Sequence, residues 1–578
     1  MAPTVEPRSR ISRILPGAPG VGVLRHYDRA WLRGDLIAGC TVAAYLVPQV
    51  MAYATVAGLP PVVGLWTMIP ALIVYAVFGS SRQMSIGPES TTALMTAATV
   101  APLAGGDPTR YALLASALAI MVGLLALVCW IVRLGFIADL LSRPVLIGYM
   151  AGIAVLMITG QLSHLTGVPV TGTGVLAEIS SFVTNLNQVD PETLIMGAVT
   201  LIFLFVVAWR WPQVPGPLLA VLLAGLAVVV FNLERFGIEV VGPYSSGLPR
   251  VGVPTLADYG LLLFPAVGVL LVGYTDFILT ARAFATQLGD EVDANQELFS
   301  MGVANVATGA IGGFPISSSA SRTAIAVTSG ARTQLYSLVA TAWTLAAILF
   351  LGPVLARFPM VALGAIVVFA ATRLVDLRAF AKLWSFRITE FLLAIAAMVG
   401  VLVFGILDGV ILAIGLSVAE MLRRVARPHD AITGFVPGLA GMHDVDDHPV
   451  VRTVPGLVVY RYDSPLFFAN ADDFRSKALA AVVSGESEAP VRWLLLNMEA
   501  NVEVDITAMY ALEDLRAELQ QRNVVLALTR VKTELREPLD AFGLGAEIGD
   551  DLIFPTLPVA VAAYQRWVEE HQEVDDVG

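Results

Sequence analysis

Cysteine is almost absent from this chain: Cys40 and Cys129 are the only two in 578 residues, and both sit inside apolar stretches. A disulfide framework or a thiolate metal site therefore has no support. Charge is scarce as well. Asp, Glu, Lys and Arg make up 14% of the residues against 56% hydrophobic, and the mean hydropathy is +0.75. An ordinary water-soluble domain is far from that balance, so lipid must be the main solvent. The chain also lacks a nucleophile with its base, a phosphate-cradling glycine loop and a metal-ligand motif, so it does not read as an enzyme and no organic cofactor or metal is expected. Nor is a nucleic-acid partner expected of a chain with net charge −12. The opening segment 1–35 has no apolar core or small-residue cleavage site of a secretory leader; with Arg8, Arg10, Arg13, Arg25, Arg29 and Arg33 it reads as a cytoplasmic tail.

What is present is a series of apolar stretches joined by short loops rich in Gly, Pro and Arg. The candidate spans are 36–57, 62–79, 88–103, 111–132, 137–160, 192–209, 216–232, 262–281, 297–313, 321–330, 333–351, 360–372, 388–405 and 407–422, which makes fourteen. Short cytoplasmic loops should hold the Lys and Arg excess. On this scheme Arg82, Arg133, Arg210, Arg282, Arg332, Arg373, Arg378, Lys382, Arg387, Arg423, Arg424 and Arg427 all fall on one side, and the loop from Gln161 to Glu192, with no Lys or Arg, falls on the other. Both termini are then expected in the cytoplasm of a cell with this multi-pass protein in its inner or plasma membrane.

The expected organisation is a transmembrane domain at 36–427, a polar connector at 428–449, a soluble domain at 450–570 and an acidic tail at 571–578. From His429 onward there are 26 acidic and 11 basic residues, so the tail region alone makes the protein acidic. Strand-length runs GLVVYRY, RWLLLNM and VVLALTRV alternate with helix-spaced segments, which predicts a compact α/β fold there.

Two spans depart from the pattern. The third opens SIGPESTTALM and the tenth GFPISSSASRTAIA, crowding Gly, Pro, Ser and Thr where a simple membrane helix would place Leu and Val. Non-helical backbone survives at that depth only where protein buries it or it lines a cavity, so each reads as an extended stretch followed by a half-helix. Third and tenth are equivalent places in two halves of seven that run in opposite directions, and paired interruptions of this kind point to a midplane binding site.

Half-helices starting near Pro88 and Ser321 would aim two positive dipole ends at one point, an anion site that needs no dedicated cation. Arg322 adds a full charge, and an arginine inside a span is by default functional. In the eighth span Asp276 and Thr280 share a helical face. Three readings are open for Asp276: a permanent partner of Arg322, a proton carrier, or a Na+ ligand with Thr280. Glu89 would repel an anion if ionised, so it is protonated when substrate binds, neutralised by Arg322, or turned away as a capping acid. In the first span Pro48 bends the helix, and Gln49 and Tyr53 share one face, either as ligands or as helix–helix glue.

The strings PQVMAYATVAGLPPVVGLW, SIGPES, DANQELFSMGVANVATG and SSSASRTA resemble the sulfate permease (SulP) family of anion transporters, over nearly the whole chain. The stretch VPGLVVYRYDSPLFFANADDFR resembles actinobacterial members regarded as sulfate carriers. This resemblance implies an α-helical polytopic membrane fold of fourteen segments in two inverted repeats of seven, forming core and gate domains, followed by a soluble α/β STAS domain (sulfate transporter and anti-sigma-factor antagonist). It also implies a homodimer and a cytoplasmic partner for the STAS domain. Carried over by position, Gln49 and Tyr53 line the substrate cavity, Glu89, Ser90, Ser319, Ala320 and Ser321 surround the anion, and Arg322 supplies positive potential. Asp276 matches a coupling acid and Thr280 a hydroxyl that coordinates the cation in sodium-linked members. Glu89 departs from the family pattern, where that position is commonly uncharged. Thr507, in NVEVDITAMYALEDL, aligns with a phosphorylatable position of STAS domains, or is simply an N-terminal helix residue.

The implied function is secondary active transport of a small anion, sulfate uptake coupled to protons by an elevator-like alternating access. The alternatives are Na+- or H+-coupled bicarbonate or dicarboxylate transport, anion exchange, and a passive channel or anion sensor.

Overall fold

The computed structural model describes residues 17–136, 142–170, 174–211, 214–243, 259–288, 290–448, 450–487 and 489–575. Arg8, Arg10 and Arg13, the first five residues of the expected span 137–160 and the last three of the acidic tail lie outside these. The chain divides into two compact units, Met1–Ser417 and Val418–Gly578.

The first unit is helical. In chain order it holds α1 (Pro19–Arg25), α2 (Leu32–Val56), α3 (Pro61–Phe78), β1 (Ile86–Gly87), α4 (Ser90–Ala104), α5 (Pro108–Ile131) and α6 (Arg143–Thr159). Then come α7 (Leu162–Thr166), α8 (Val175–Thr184), α9 (Pro191–Arg210), α10 (Gly216–Phe231), α11 (Tyr259–Leu288) and α12 (Ala294–Ala310). The series continues with β2 (Ser317–Ser318), α13 (Ala320–Thr328), α14 (Leu335–Phe350), α15 (Gly352–Leu355), α16 (Met360–Thr372), α17 (Leu377–Phe386), α18 (Ile388–Phe404) and α19 (Ile406–Ala426). Each of the fourteen stretches read as spans coincides with one of these helices. By length and composition six helices among the described residues could cross a membrane, and several shorter apolar ones accompany them. The loop after residue 160 is less open than expected, because α7 and α8 form within it.

Local chemistry sets where these helices begin. Pro61, Pro108 and Pro191 occupy the first helical position, where a missing N–H costs nothing, and Asp107, Asp190, Asp293 and Asp376 accept the orphan amides of the following turn. Small residues then let helices approach closely. A Cβ at Gly123 of α5 would strike the backbone of Gly302 on α12, and one at Gly148 of α6 the backbone of Ala394 on α18. The helices sort into two packed groups: α2, α3, α5, α11, α12 and α14 hold the short α4 and α13, while α6, α9, α10, α16 and α18 pack on one another. Helices α2 and α16 meet between the groups.

The two broken spans join by a minimal ladder. β1 and β2 pair antiparallel, with Ile86 opposite Ser318 and Gly87 opposite Ser317. Gly87 takes φ +148°, and a Cβ there would strike the thioether of Met68. Only glycine fits.

The second unit is α/β, in a six-stranded sheet of order β4-β3-β5-β6-β7-β8. Its strands are β3 (Asp430–Phe435), β4 (Met442–Asp444), β5 (Leu457–Tyr462), β6 (Trp493–Asn497), β7 (Val525–Thr529) and β8 (Ile553–Phe554). Pairing is parallel from β5 to β8. The helices are α20 (Ala471–Gly485), α21 (Ile506–Gln521), α22 (Thr533–Phe542), α23 (Leu544–Ile548) and α24 (Leu557–Asp575). Side chains alternate across the sheet. Val458, Tyr460, Leu494 and Leu528 face Phe474 of α20 and Leu512 of α21, whereas Val459, Trp493 and Leu495 face Val561 and Tyr564 of α24. The stretch 428–449, expected as a connector, contributes β3 and β4 to this sheet. Its polar composition hid two short strands, since only Ala431, Ile432 and Phe435 bring apolar side chains to β3.

Candidate functional site

Three pieces of chain converge: the start of α4, the start of α13 and the middle of α2. Helix α4 begins at Ser90 behind Glu89, and α13 at Ala320 behind Ser319. The expected starts, Pro88 and Ser321, are thus corrected by two residues and by one. Pro88 biases its neighbourhood to extended backbone, and Glu89 follows with φ −135° and ψ 154°. Ser319 ends the other extended piece by accepting the Arg322 amide on its Oγ at 3.5 Å. The ladder is continued by the Ser319 amide donating to the Ser85 carbonyl at 2.8 Å and the Ser85 amide donating to Thr323 Oγ1 at 3.0 Å.

Arg322 is fully buried at this junction. Its Nε donates to Ser85 Oγ at 3.3 Å, and its Nη1 donates to Gln49 Oε1 and to the Pro88 carbonyl, both at 3.1 Å. Gln49 Nε2 in turn donates to Tyr53 Oη at 3.0 Å. Glu89 Oε2 lies 3.7 Å from Nη1, with the glutamate side chain 14% exposed. Ser90 Oγ donates to Glu89 Oε1 at 3.3 Å, and the Glu89 side chain caps no amide of α4. That removes the capping reading of Glu89. Two buried polar atoms remain unpartnered here, Arg322 Nη2 and Glu89 Oε2. One is a donor that cannot lose its proton, the other an acceptor that can take one.

Asp276 reaches the same ladder from α11. Ser317 Oγ donates to Asp276 Oδ2 at 3.4 Å and to the Gly273 carbonyl at 2.8 Å, and Ser318 Oγ donates to the Asp276 carbonyl at 3.2 Å. Among the described residues Arg322 pairs with Glu89 and not with Asp276, so the reading of Asp276 as the permanent partner of Arg322 is overturned. The nearer carboxylate took the guanidinium. Thr280 is buried one turn further along α11.

Next to the ladder a cavity of about 670 Å³ runs along α13 from Ser321 to Ser329, walled by α2, α9, α10 and α16. Thr41, Tyr45, Ser321, Phe369 and Arg373 line it. Tyr45 and Ser321 both face it, and the Arg373 guanidinium stands 4.6 Å over the Phe369 ring. Gln49 and Tyr53, expected to line the cavity, are instead buried and absent from its lining, Gln49 accepting from Arg322 and donating to Tyr53. Tyr45, Ser85 and Arg373 were missed by the sequence reading. A signal for the first existed: Thr41, Tyr45, Gln49 and Tyr53 recur at four-residue spacing and share one face of α2. In the second unit Thr507 is exposed in the first turn of α21, where Asp505 caps the helix.

Two positive helix ends, a buried guanidinium and hydroxyls beside a cavity are groups whose chemistry suits an anion, and two carboxylates stand next to them. Residues 32–397 match the Sulfate permease family, and residues 448–560 match the STAS domain. This chain belongs to the sulfate permease family. As a member it is a multi-pass membrane transporter and not an enzyme. It is 54% identical over 552 residues to a Mycobacterium tuberculosis (strain H37Rv) protein named "Probable sulfate transporter", covering 95% of this chain and 98% of that one. It is 31% identical to "Probable sulfate transporter 3.3" of Arabidopsis thaliana, over 93% of this chain and 89% of the relative. In three dimensions the permease is similar to the murine solute carrier 26 family member A9 anion transporter in its inward-facing state, with a TM-score of 0.88, 20% identity, and 98% and 96% of the two chains covered. The transmembrane domain of a cyanobacterial bicarbonate transporter, BicA, aligns with a TM-score of 0.60 and 24% identity over 67% of this chain and 98% of that one. At such identities the likeness is one of fold.

Proposed function

We propose that this permease takes up sulfate by proton-coupled secondary active transport. The observation that carries the proposal is the β1–β2 ladder, which sets the first turns of α4 and α13 beside a buried Arg322 that has one unpartnered nitrogen. Sulfate is favoured by the names of the relatives that match over nearly the whole chain. Protons are favoured by Glu89 and Asp276: a dianion meeting two ionised carboxylates around a single arginine is repelled unless protons arrive with it. Serine hydroxyls and backbone amides at both helix starts, from Ser90, Ser319, Ala320 and Ser321, supply the donors to the anion. The fourteen spans are then two inverted repeats of seven, with α2–α5 and α11–α14 as the moving core and the other helices as the gate. In this scheme the protein is a homodimer with both termini cytoplasmic, and its STAS domain is left open to a cytoplasmic partner and to modification at Thr507.

A second reading has a specific observation behind it. Asp276, free of Arg322, has the Ser317 hydroxyl beside it and Thr280 one turn away, a set of oxygens that also suits Na+. Uptake of labelled sulfate, bicarbonate and succinate into proteoliposomes under separately imposed H+ and Na+ gradients tests both. Sulfate accumulation driven by a proton gradient and abolished by a protonophore is expected. Flux that runs only downhill would replace the carrier by a channel, and binding without flux would leave a sensor.

A further inference from the structure

Helix α17 takes no part in the site, yet its sequence LRAFAKLWSF is sharply two-faced. Asp376 fixes its start by accepting the amides of Arg378 and Ala379 at 3.0 and 2.9 Å. At 3.6 residues per turn Leu377, Phe380, Leu383 and Trp384 fall on one side, and Arg378, Lys382 and Ser385 on the other. None of its ten residues is buried. Leu377 is 75% exposed, Trp384 61% and Phe386 65%. Protein covers the apolar side only in part, where the rings of Phe380 and Trp384 stand 6.3 and 5.0 Å from Phe391 of α18.

Two observations say what covers the rest. The first is place. The apolar helices α16 and α18 flank α17, ending at Thr372 and starting at Ile388, so the helix is pinned at the depth where a span leaves the hydrocarbon. The second is charge. Between residues 373 and 390 there are four basic side chains, Arg373, Arg378, Lys382 and Arg387, against Asp376 and Glu390, and Asp376 is used as the cap. Exposed Leu and Trp on one face with Arg and Lys on the other, held at that level, is the chemistry of a helix lying in a lipid interface.

We propose that α17 is an interfacial helix that binds anionic phospholipid headgroups through Arg378, Lys382 and Arg387 while Leu377 and Trp384 enter the acyl region. The proposal rests on the protein's being a multi-pass membrane protein and does not depend on which anion it carries. It also gives the lipid a route to transport, because Arg373, which lines the cavity, stands between α16 and α17.

The test uses the full-length chain in a cysteine-free background, Cys40→Ala with Cys129→Ala, carrying Trp384→Cys or Ser385→Cys with a nitroxide label. It is reconstituted in phosphatidylcholine vesicles with and without phosphatidylglycerol. Expected are greater access of dissolved oxygen than of an aqueous nickel chelate at position 384, the reverse at 385, and a deeper position 384 when phosphatidylglycerol is added. In the unlabelled chain, Arg378→Gln with Lys382→Gln and Arg387→Gln should weaken the preference for spin-labelled phosphatidylglycerol over phosphatidylcholine by several-fold, on the order of five-fold per charge at most. Equal exposure of 384 and 385 to the chelate would overturn the proposal by placing the helix in water. Shielding of 384 from both probes would overturn it in favour of a second copy of the chain. An unaltered lipid preference in the triple variant would do so by showing that the charges do not meet headgroups.

Discussion

Arg322 Nη1 stands 3.7 Å from Glu89 Oε2, an oxygen that is buried and that no hydrogen bond satisfies. The guanidinium spends its aligned donors on Gln49, Ser85 and the Pro88 carbonyl and meets the carboxylate only as a charge. Glu89 is thereby partly neutralised and still open to a proton. Protonation removes one negative charge from the place an anion must occupy, so uptake should rise as pH falls. Glu89→Gln fixes the neutral form. Its labelled-sulfate uptake is expected to lose the acid stimulation and to run nearly flat with pH, and a profile identical to that of the unsubstituted protein would remove Glu89 from coupling.

Arg322→Lys keeps the charge and loses the fork. A lysine ammonium cannot reach Ser85 Oγ, Gln49 Oε1 and the Pro88 carbonyl together, and it leaves buried acceptors on α2 and on the extended stretch before α4 unpaired. Each lost charge-assisted bond is worth about 1.5–3 kcal/mol, so uptake should fall by roughly ten-fold to a hundred-fold. A lysine variant with normal uptake would mean that charge alone matters.

Arg373 acts at a distance. It lines the cavity near Tyr45 and Ser321 without touching the ladder, so it raises the local anion concentration and does not shape the site. Arg373→Gln should raise the apparent KM roughly three- to ten-fold at low ionic strength with little change in maximal rate, the effect shrinking as salt is added. Equal loss at high and low salt would assign it a structural role instead.

The start of α2 offers a pH readout outside the spans. Tyr27 Oη donates to Asp35 Oδ2 at 2.9 Å, and burial together with that bond pushes the phenol from its usual 10 up to about 12. The fold favours the protonated phenol. Its contribution is therefore complete below about pH 10 and is lost as pH rises through about 12. Difference absorbance of phenolate between the unsubstituted chain and Tyr27→Phe should show this late titration. The substitution should cost about 1 kcal/mol, because Asp35 keeps the amides of Arg332 and Thr333 and the Thr333 hydroxyl.

Much of this was legible in the sequence because lipid enforces strong signals. A span must be long and apolar, so all fourteen stretches fall on helices, and the crowding of Gly, Pro and Ser at SIGPES and SSSASR marked where helices could not continue. Arg322 stood out because a guanidinium amid apolar residues has no other explanation. Its partner did not stand out. Glu89 and Asp276 are both acids in spans, and only distance shows that Glu89 is within range. Tyr45 and Arg373 were passed over because a tyrosine in a helix and an arginine at a loop are unremarkable until a cavity joins them. The strands at Asp430–Phe435 and Met442–Asp444 are too short and too polar to announce themselves.

The ladder between Ile86–Gly87 and Ser317–Ser318 has a consequence in time. Arg322 and Ser85, which meet across it, are 237 residues apart in the chain. At a synthesis rate of about 5–20 residues per second, the third span must wait on the order of ten to fifty seconds for its counterpart to leave the ribosome. Through that interval an unpaired extended stretch with a buried carboxylate has to be sheltered by neighbours already inserted. The first half of the chain on its own cannot complete the ladder, and a truncation before residue 317 should be a substrate for quality control even though most of its helices are complete.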